Sequence, residues 1–180
     1  MGMKLKRVQS GFAAVEMTLI TPFMLILIGG IIEVTHFLQT NSILIGVTRE
    51  GANLVSRTSS STPNEIMTLV SKTTGDLDLS SDGVIYITLV TGQEDDDPYV
   101  NEQYIWSDSG LSQASSVWDD CASWSNHQCD LESPPPTISS FPVSLDPNES
   151  VYVVEVHYQF SPLGNLFITS GFVMSDITYL

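Results

Sequence analysis

From Phe12 to Ile32 the chain carries a single formal charge, Glu16, in an otherwise apolar run. Residues 17–32 read MTLITPFMLILIGGII, and with Phe12–Val15 the stretch reaches the ~20 residues that cross the hydrocarbon core of a bilayer. A soluble helix of that length keeps a polar stripe, whereas a helix apolar all round needs either a large core or lipid. In a chain of 180 residues the second alternative is expected. Lys4, Lys6 and Arg7 precede the run and Glu33 follows it, so the positive-inside rule predicts a cytoplasmic N-terminus, with everything after His36 outside. No Ala-x-Ala-like site follows the apolar stretch. Glu33-Val34-Thr35-His36-Phe37-Leu38-Gln39 instead continues the helical pattern, and the segment is expected to stay attached.

Charge is as unevenly spread as hydropathy. Past Gly11 three basic residues face 21 acidic ones, a net of −18. A surface of that sign repels nucleic acid and anionic lipid headgroups, which excludes nucleic acid as a partner. It suits a domain in water, or one that meets cations or a basic protein. Cys121 and Cys129 lie close together in a polar stretch. An outside location makes them a disulfide, closing a short loop worth about 2.6 kcal/mol by chain entropy.

Beyond the bilayer, Val34, Phe37, Leu38, Ile43, Leu44, Ile45 and Val47, then Ala52, Leu54 and Val55, keep mostly helical spacing. One helix from Phe12 to about Ser56 would be roughly 65 Å long, with Pro22 removing one backbone hydrogen bond on the way. Its outer apolar stripe needs a cover, and a sheet from the same chain is the natural one. Thr58–Pro63 reads as a linker, with Ser61 or Thr62 capping a short helix that begins at Pro63. Gly83–Val90 predicts a strand, as do Glu102–Trp106, Ser150–Phe160 and Phe172–Tyr179. In Ser150–Phe160, Tyr152, Val154, Val156 and Tyr158 alternate with Val151, Val153, Glu155 and His157. The fold class is thus α+β: a long N-terminal transmembrane helix followed by a small antiparallel sheet of three or four strands. The divisions are 1–11 as a cytoplasmic leader, 12–56 as the transmembrane and extended helix, and 57–180 as the outer α+β domain. The excursion Leu111–Val143, with Pro134-Pro135-Pro136, shows no periodicity.

Chemical signatures are sparse. The chain contains no Gly-x-Ser-x-Gly, phosphate loop or His-Glu-x-x-His, and no catalytic activity or cofactor is expected. His36, His127 and His157 are far apart, and Cys121, His127 and Cys129 lack a fourth metal ligand, so no metal site is assigned. Glu94-Asp95-Asp96-Asp97 offers the hard oxygens that calcium takes. Four consecutive carboxylates before Pro98 lack the alternate spacing of calcium loops, however, and predict a solvated turn. Asn148-Glu149-Ser150 fits a glycosylation sequon and reads as a turn ahead of the late strands.

The most specific pattern lies at the inner edge of the apolar run. Ser10-Gly11-Phe12-Ala13-Ala14-Val15-Glu16 places Gly at the end of a short basic leader, then Phe, then the lone Glu. A carboxylate there costs up to about 2.5–3.5 kcal/mol on insertion scales, so a partner is to be expected for it. The arrangement resembles type IV prepilins and pseudopilins, whose peptidase cuts after such a Gly and whose fifth mature residue is Glu. The resemblance implies a processing site at Gly11 and Phe12. It makes Glu16 an assembly contact, paired with the new α-amino group of a neighbouring subunit. AAVEMTLITPFMLIL, with Pro22 early in the helix and Arg49-Glu50-Gly51-Ala52 near its end, is similar to TadE-like minor pseudopilins of the tight-adherence (Flp) pilus system. The likeness covers residues 9–56 strongly.

It implies a pilin-like fold and a role in assembling or priming that pilus. The expected location is the bacterial inner membrane, single-pass, with the outer domain periplasmic. The implied partners are a prepilin peptidase, sister pseudopilins and pilin subunits, an inner-membrane assembly platform and the lipid bilayer. Two alternatives stand beside this reading. One is a minor pseudopilin of a type II secretion or other type IV pilus system. The other is a membrane-anchored periplasmic binding module in which the Gly-Phe-x-x-x-Glu match is accidental.

Overall fold

The computed structural model describes residues 6–58, 60–94, 96–164 and 168–180, with the backbone alone for residues 6–11. Lys4 of the leader, Asp95 of the acidic run and Leu166 lie outside the described residues. Two compact units are present, Met1–Leu38 with Ser161–Gly171, and Gln39–Phe160 with Phe172–Leu180. Helix α1, Lys6–Arg57, has 52 residues and contributes to both.

In the first unit every residue of α1 from Phe12 to Ile28 is exposed, the large apolar side chains included. This is the only described helix long and apolar enough to cross a membrane. Water would not tolerate so much exposed aliphatic surface on a small protein, but hydrocarbon would. The two threonines of the stretch are satisfied within the helix: Thr18 Oγ1 donates to Ala14 O at 2.8 Å and Thr21 Oγ1 to Met17 O at 2.7 Å. Neither brings an unpaired hydroxyl into an apolar medium.

The second unit is a layered α+β domain. Its sheet has six antiparallel strands in the order β3-β4-β2-β1-β5-β6. These are β1 (Gly83–Gln93), β2 (Asp96–Ile105), β3 (Trp124–Ser125), β4 (Gln128–Cys129), β5 (Ser150–Phe160) and β6 (Phe172–Tyr179). The expected α+β class, long apolar helix followed by a small antiparallel sheet, is what is observed. Strands β5 and β6 have the expected limits, and β1 extends three residues past Val90.

Strand β2 begins earlier than its sequence suggests, at Asp96 rather than Glu102. Asp and Pro are poor strand formers, but the register shifts between Thr91 and Gln93, and this irregularity accommodates Pro98. The outer side of the strand is met by the excursion, with Val100 N donating to Pro136 O and Ile138 N to Pro98 O. Strands β3 and β4 form a two-residue hairpin over Asn126 and His127, both at positive φ (50° and 66°), the conformation of a type I′ turn.

One face of the sheet packs on α1. Leu44, Val47, Ala52 and Val55 are buried along it, and the Thr48 hydroxyl meets β6 through Asp176 and Thr178. A Cβ at Gly51 would stand 3.0 Å from Val154 Cγ1, which shows how closely helix and strand approach. Helix α2 (Pro63–Ser71) adds Ile66, Met67 and Val70 to the same layer. It opens with the anticipated Thr62 cap: Thr62 Oγ1 accepts from Glu65 N, and Glu65 returns its carboxylate to Thr62 N. The indole N–H of Trp106 donates to Thr68 Oγ1 at 3.1 Å and ties α2 to the end of β2. A short helix α3, Leu79–Asp82, leads into β1.

The opposite face is covered by the irregular excursion. Val90, Val151 and Val153 are buried there beneath Val117, Ile138, Phe141 and Leu145, with Ile177 and Tyr179 of β6 alongside. Both faces of β5 are therefore inside the domain. Buried on both sides, a strand loses the polar-out alternation of a half-exposed sheet, and Glu155 and His157 become interior groups.

Candidate functional site

Residues Gly11, Phe12 and Glu16 all fall within α1. Phe12 is 76% exposed, and Glu16 is exposed as well. Four residues apart on a helix, they share one face. No hydrogen bond or ion pair joins Glu16 to any described residue. A carboxylate at the edge of an apolar span, with a large exposed aromatic one turn before it, offers an acceptor to a cation from outside the chain. Within a lone subunit the pair is brought together on the helix surface but not to each other.

Cys121 and Cys129 are disulfide-bonded, with Cα atoms 5.9 Å apart. The bond staples the excursion onto the β3–β4 hairpin, where Asp130 N donates to Ser123 O and Ile105 N to His127 O. Both sulfurs being consumed, the Cys121/His127/Cys129 combination offers no thiolate to a metal. Among the described residues no group of His, Cys, Asp or Glu side chains is placed to hold a metal ion. Asp96 and Asp97 belong to β2 and Glu94 to the hairpin turn before it, with Asp97 N donating to Asp96 Oδ1 at 2.8 Å.

A polar network that the sequence did not single out lies under the excursion. Glu155 is 1% exposed and His157 3%. Glu155 Oε2 accepts from Ser115 Oγ at 2.6 Å, while Oε1 accepts from Ser116 N at 2.6 Å and lies 2.8 Å from His157 Nε2. Burial pushes the Glu155 carboxyl up, but the bonds from His157, Ser115 and Ser116 outweigh it and hold it below the usual carboxylate range. Tyr86 crosses the His157 ring edge-on at 6.3 Å, and its hydroxyl donates to Gln113 O at 2.7 Å. Burial, with the Glu155 charge behind it, pushes Tyr86 up to about 12.

Serine, histidine and glutamate together invite comparison with a hydrolytic triad. The connectivity is different: Ser115 gives its proton to the glutamate rather than to the histidine, so no base activates its oxygen. What the network does is clamp the excursion to the middle of β5. Periodicity could not have found it, because the partner segment has none. The signal available was the pairing of Glu155 and His157 on one face of an otherwise β-branched strand.

Residues 11–53 match the family model described as TadE-like protein. The match takes in Gly11, Phe12, Glu16, the apolar span and Arg49-Glu50-Gly51-Ala52. No curated protein and no solved structure matches the chain.

Proposed function

We propose that this chain, TadE-like over residues 11–53, is a minor pseudopilin that takes part in assembling or priming a tight-adherence type IV pilus. The family match across Gly11, Phe12, Glu16 and the membrane span carries the reading. The basic leader is the peptidase's handle, and Gly11–Phe12 is the bond it cuts on the cytoplasmic side of the inner membrane. Removing the leader puts a charged α-amino group on Phe12. In a bundle of parallel helices that group meets Glu16 of a neighbouring subunit, and two charges that are costly alone in lipid become a pair.

Exposure of both Phe12 and Glu16 on one helix face supports this role, since an internal ion pair would leave nothing for assembly. The outer domain then lies in the periplasm, where it touches sister pseudopilins and pilin subunits, while α1 remains in the bilayer beside the assembly platform.

Intact-mass spectrometry of the protein co-expressed with its prepilin peptidase tests the reading, with Gly11→Ala as the comparison. The expected result is loss of residues 1–11 from the wild type and full length for the variant. A full-length wild type, beside a control substrate that the same peptidase cuts, leaves a plain membrane-anchored module and removes the pseudopilin assignment.

A further inference from the structure

Beside the Glu155 network, between the excursion and the sheet, lies a half-open pocket of about 130 Å³. Its walls include Tyr86, Gln103, Ser115, Trp118, Asp119 and Trp124, backed by the disulfide at Cys121. The rings of Tyr86 and Trp124 lie 6.1 Å apart and tilted by 39°, so they form two sides of a corner rather than a stack.

The polar groups of this wall are mostly committed elsewhere. The Tyr86 hydroxyl donates to Gln113 O, and the Ser115 hydroxyl to Glu155 Oε2. Gln103 Nε2 gives its two hydrogens to Thr88 Oγ1 at 3.4 Å and Trp118 O at 2.8 Å. The Trp118 backbone N–H goes to Ser115 Oγ at 3.3 Å. Besides the two indole N–H groups and the Gln103 Oε1 acceptor, the wall offers a visitor its aromatic rings and the carboxylate of Asp119. Asp119 is exposed, and among the described residues no cationic side chain pairs with it. Aromatic faces are the negative ends of ring quadrupoles, and a carboxylate beside them adds to the same sign. With only Arg49, Arg57 and Lys72 as cations past Gly11, the chain has few of its own to fill the site.

We infer that the Tyr86–Trp118–Trp124 cavity, with Asp119 at its wall, is a binding site for an alkylammonium group. A lysine side chain and a methylated ammonium share that chemistry, and both fit the volume. The ring faces supply cation–π attraction, Asp119 the counter-charge, and the disulfide holds the Trp118 and Trp124 walls in place. The inference does not depend on the role of α1.

The test uses the full-length chain in maltoside micelles, which carry no ammonium group. Tetramethylammonium, Nα-acetyl-lysine methylamide, the neutral isostere 3,3-dimethylbutanol and glucose are titrated by calorimetry and saturation-transfer NMR. Saturable binding of either ammonium probe, at least about fivefold tighter than the neutral isostere, is expected from cation–π and charge attraction together. Trp124→Leu should weaken it by about fivefold or more, and Asp119→Asn by about threefold. Both positions are exposed, and an unchanged circular-dichroism melt shows that each variant keeps the fold. Tighter binding of the lysine probe points to a protein ligand, and tighter binding of tetramethylammonium to a methylated headgroup or solute. Equal binding of the neutral isostere, preference for glucose, or ammonium binding untouched by both substitutions overturns the inference.

Discussion

At the scale of single residues, Glu155 has the environment most different from that of an ordinary surface carboxylate. It is buried, ionised and bonded on both oxygens. Glu155→Gln keeps the shape but exchanges an acceptor for a donor facing Ser116 N–H or Ser115. A loss of about 2–4 kcal/mol is expected, because charge-assisted bonds are lost and a buried donor is left unmatched. Urea unfolding followed through tryptophan fluorescence measures it.

The pH dependence has a definite sign. The folded-state pKa of Glu155 is depressed, so its contribution is complete above the unfolded value of about 4.3 and declines as pH falls from there through the folded value. The gap in urea midpoint between wild type and Glu155→Gln should therefore narrow on acidification below about pH 4.3, while other carboxylates affect both proteins alike. The sequence displayed Glu155 only as one member of an alternating strand. Its burial depends on a covering segment without periodicity, and that is why the network was not legible. Glu16 was legible for the opposite reason: its surroundings are lipid-like by sequence alone, and one charge in such a run is visible without any fold.

At the scale of elements, the outer half of α1 and the sheet were foreseeable because each carries its own repeat. Helical spacing marked Leu44, Val47 and Ala52, alternation marked β5 to its ends, and β6 was expected with the limits it has. The Thr62 cap was announced by Ser-Thr-Pro ahead of an apolar run, while the return bond from Glu65 was not. The start of β2 and the β3–β4 hairpin were missed because acidic residues, a proline and positive φ at Asn126 and His127 obey local geometry rather than period. The contact that joins the two well-marked elements is Gly51 against Val154. Gly51→Val puts branched carbons beyond a Cβ that would itself stand 3.0 Å from Val154 Cγ1, so α1 must lift or Val154 must turn. A cost of about 1–3 kcal/mol is expected from overpacking. Thermal melts of the full-length variant check it, and Val154→Ala in the same chain should recover part of the loss.

For the whole molecule, the governing asymmetry is electrostatic. Lys4, Lys6 and Arg7 hold one end, and the remainder past Gly11 carries −18. Basic residues flanking an apolar span resist translocation, whereas acidic ones contribute little to orientation, so the leader rather than the acidic domain should decide the topology. Replacing all three basic residues with Gln is then expected to produce a mixed population, with part of it inverted. The disulfide reports the outcome, because Cys121 and Cys129 pair in an oxidising compartment and stay as thiols in a reducing one. In the wild type a maleimide-polymer shift on a denaturing gel should leave the band unmoved until a reductant is added. In the triple Gln variant a fraction should shift without reductant, and that same fraction should resist protease added outside the membrane. A band that shifts in the wild type would mean that the domain stays in the reducing cytoplasm. An unshifted, fully protease-sensitive variant would mean that something other than leader charge directs translocation, leaving the helix and its glutamate as the next determinants to alter.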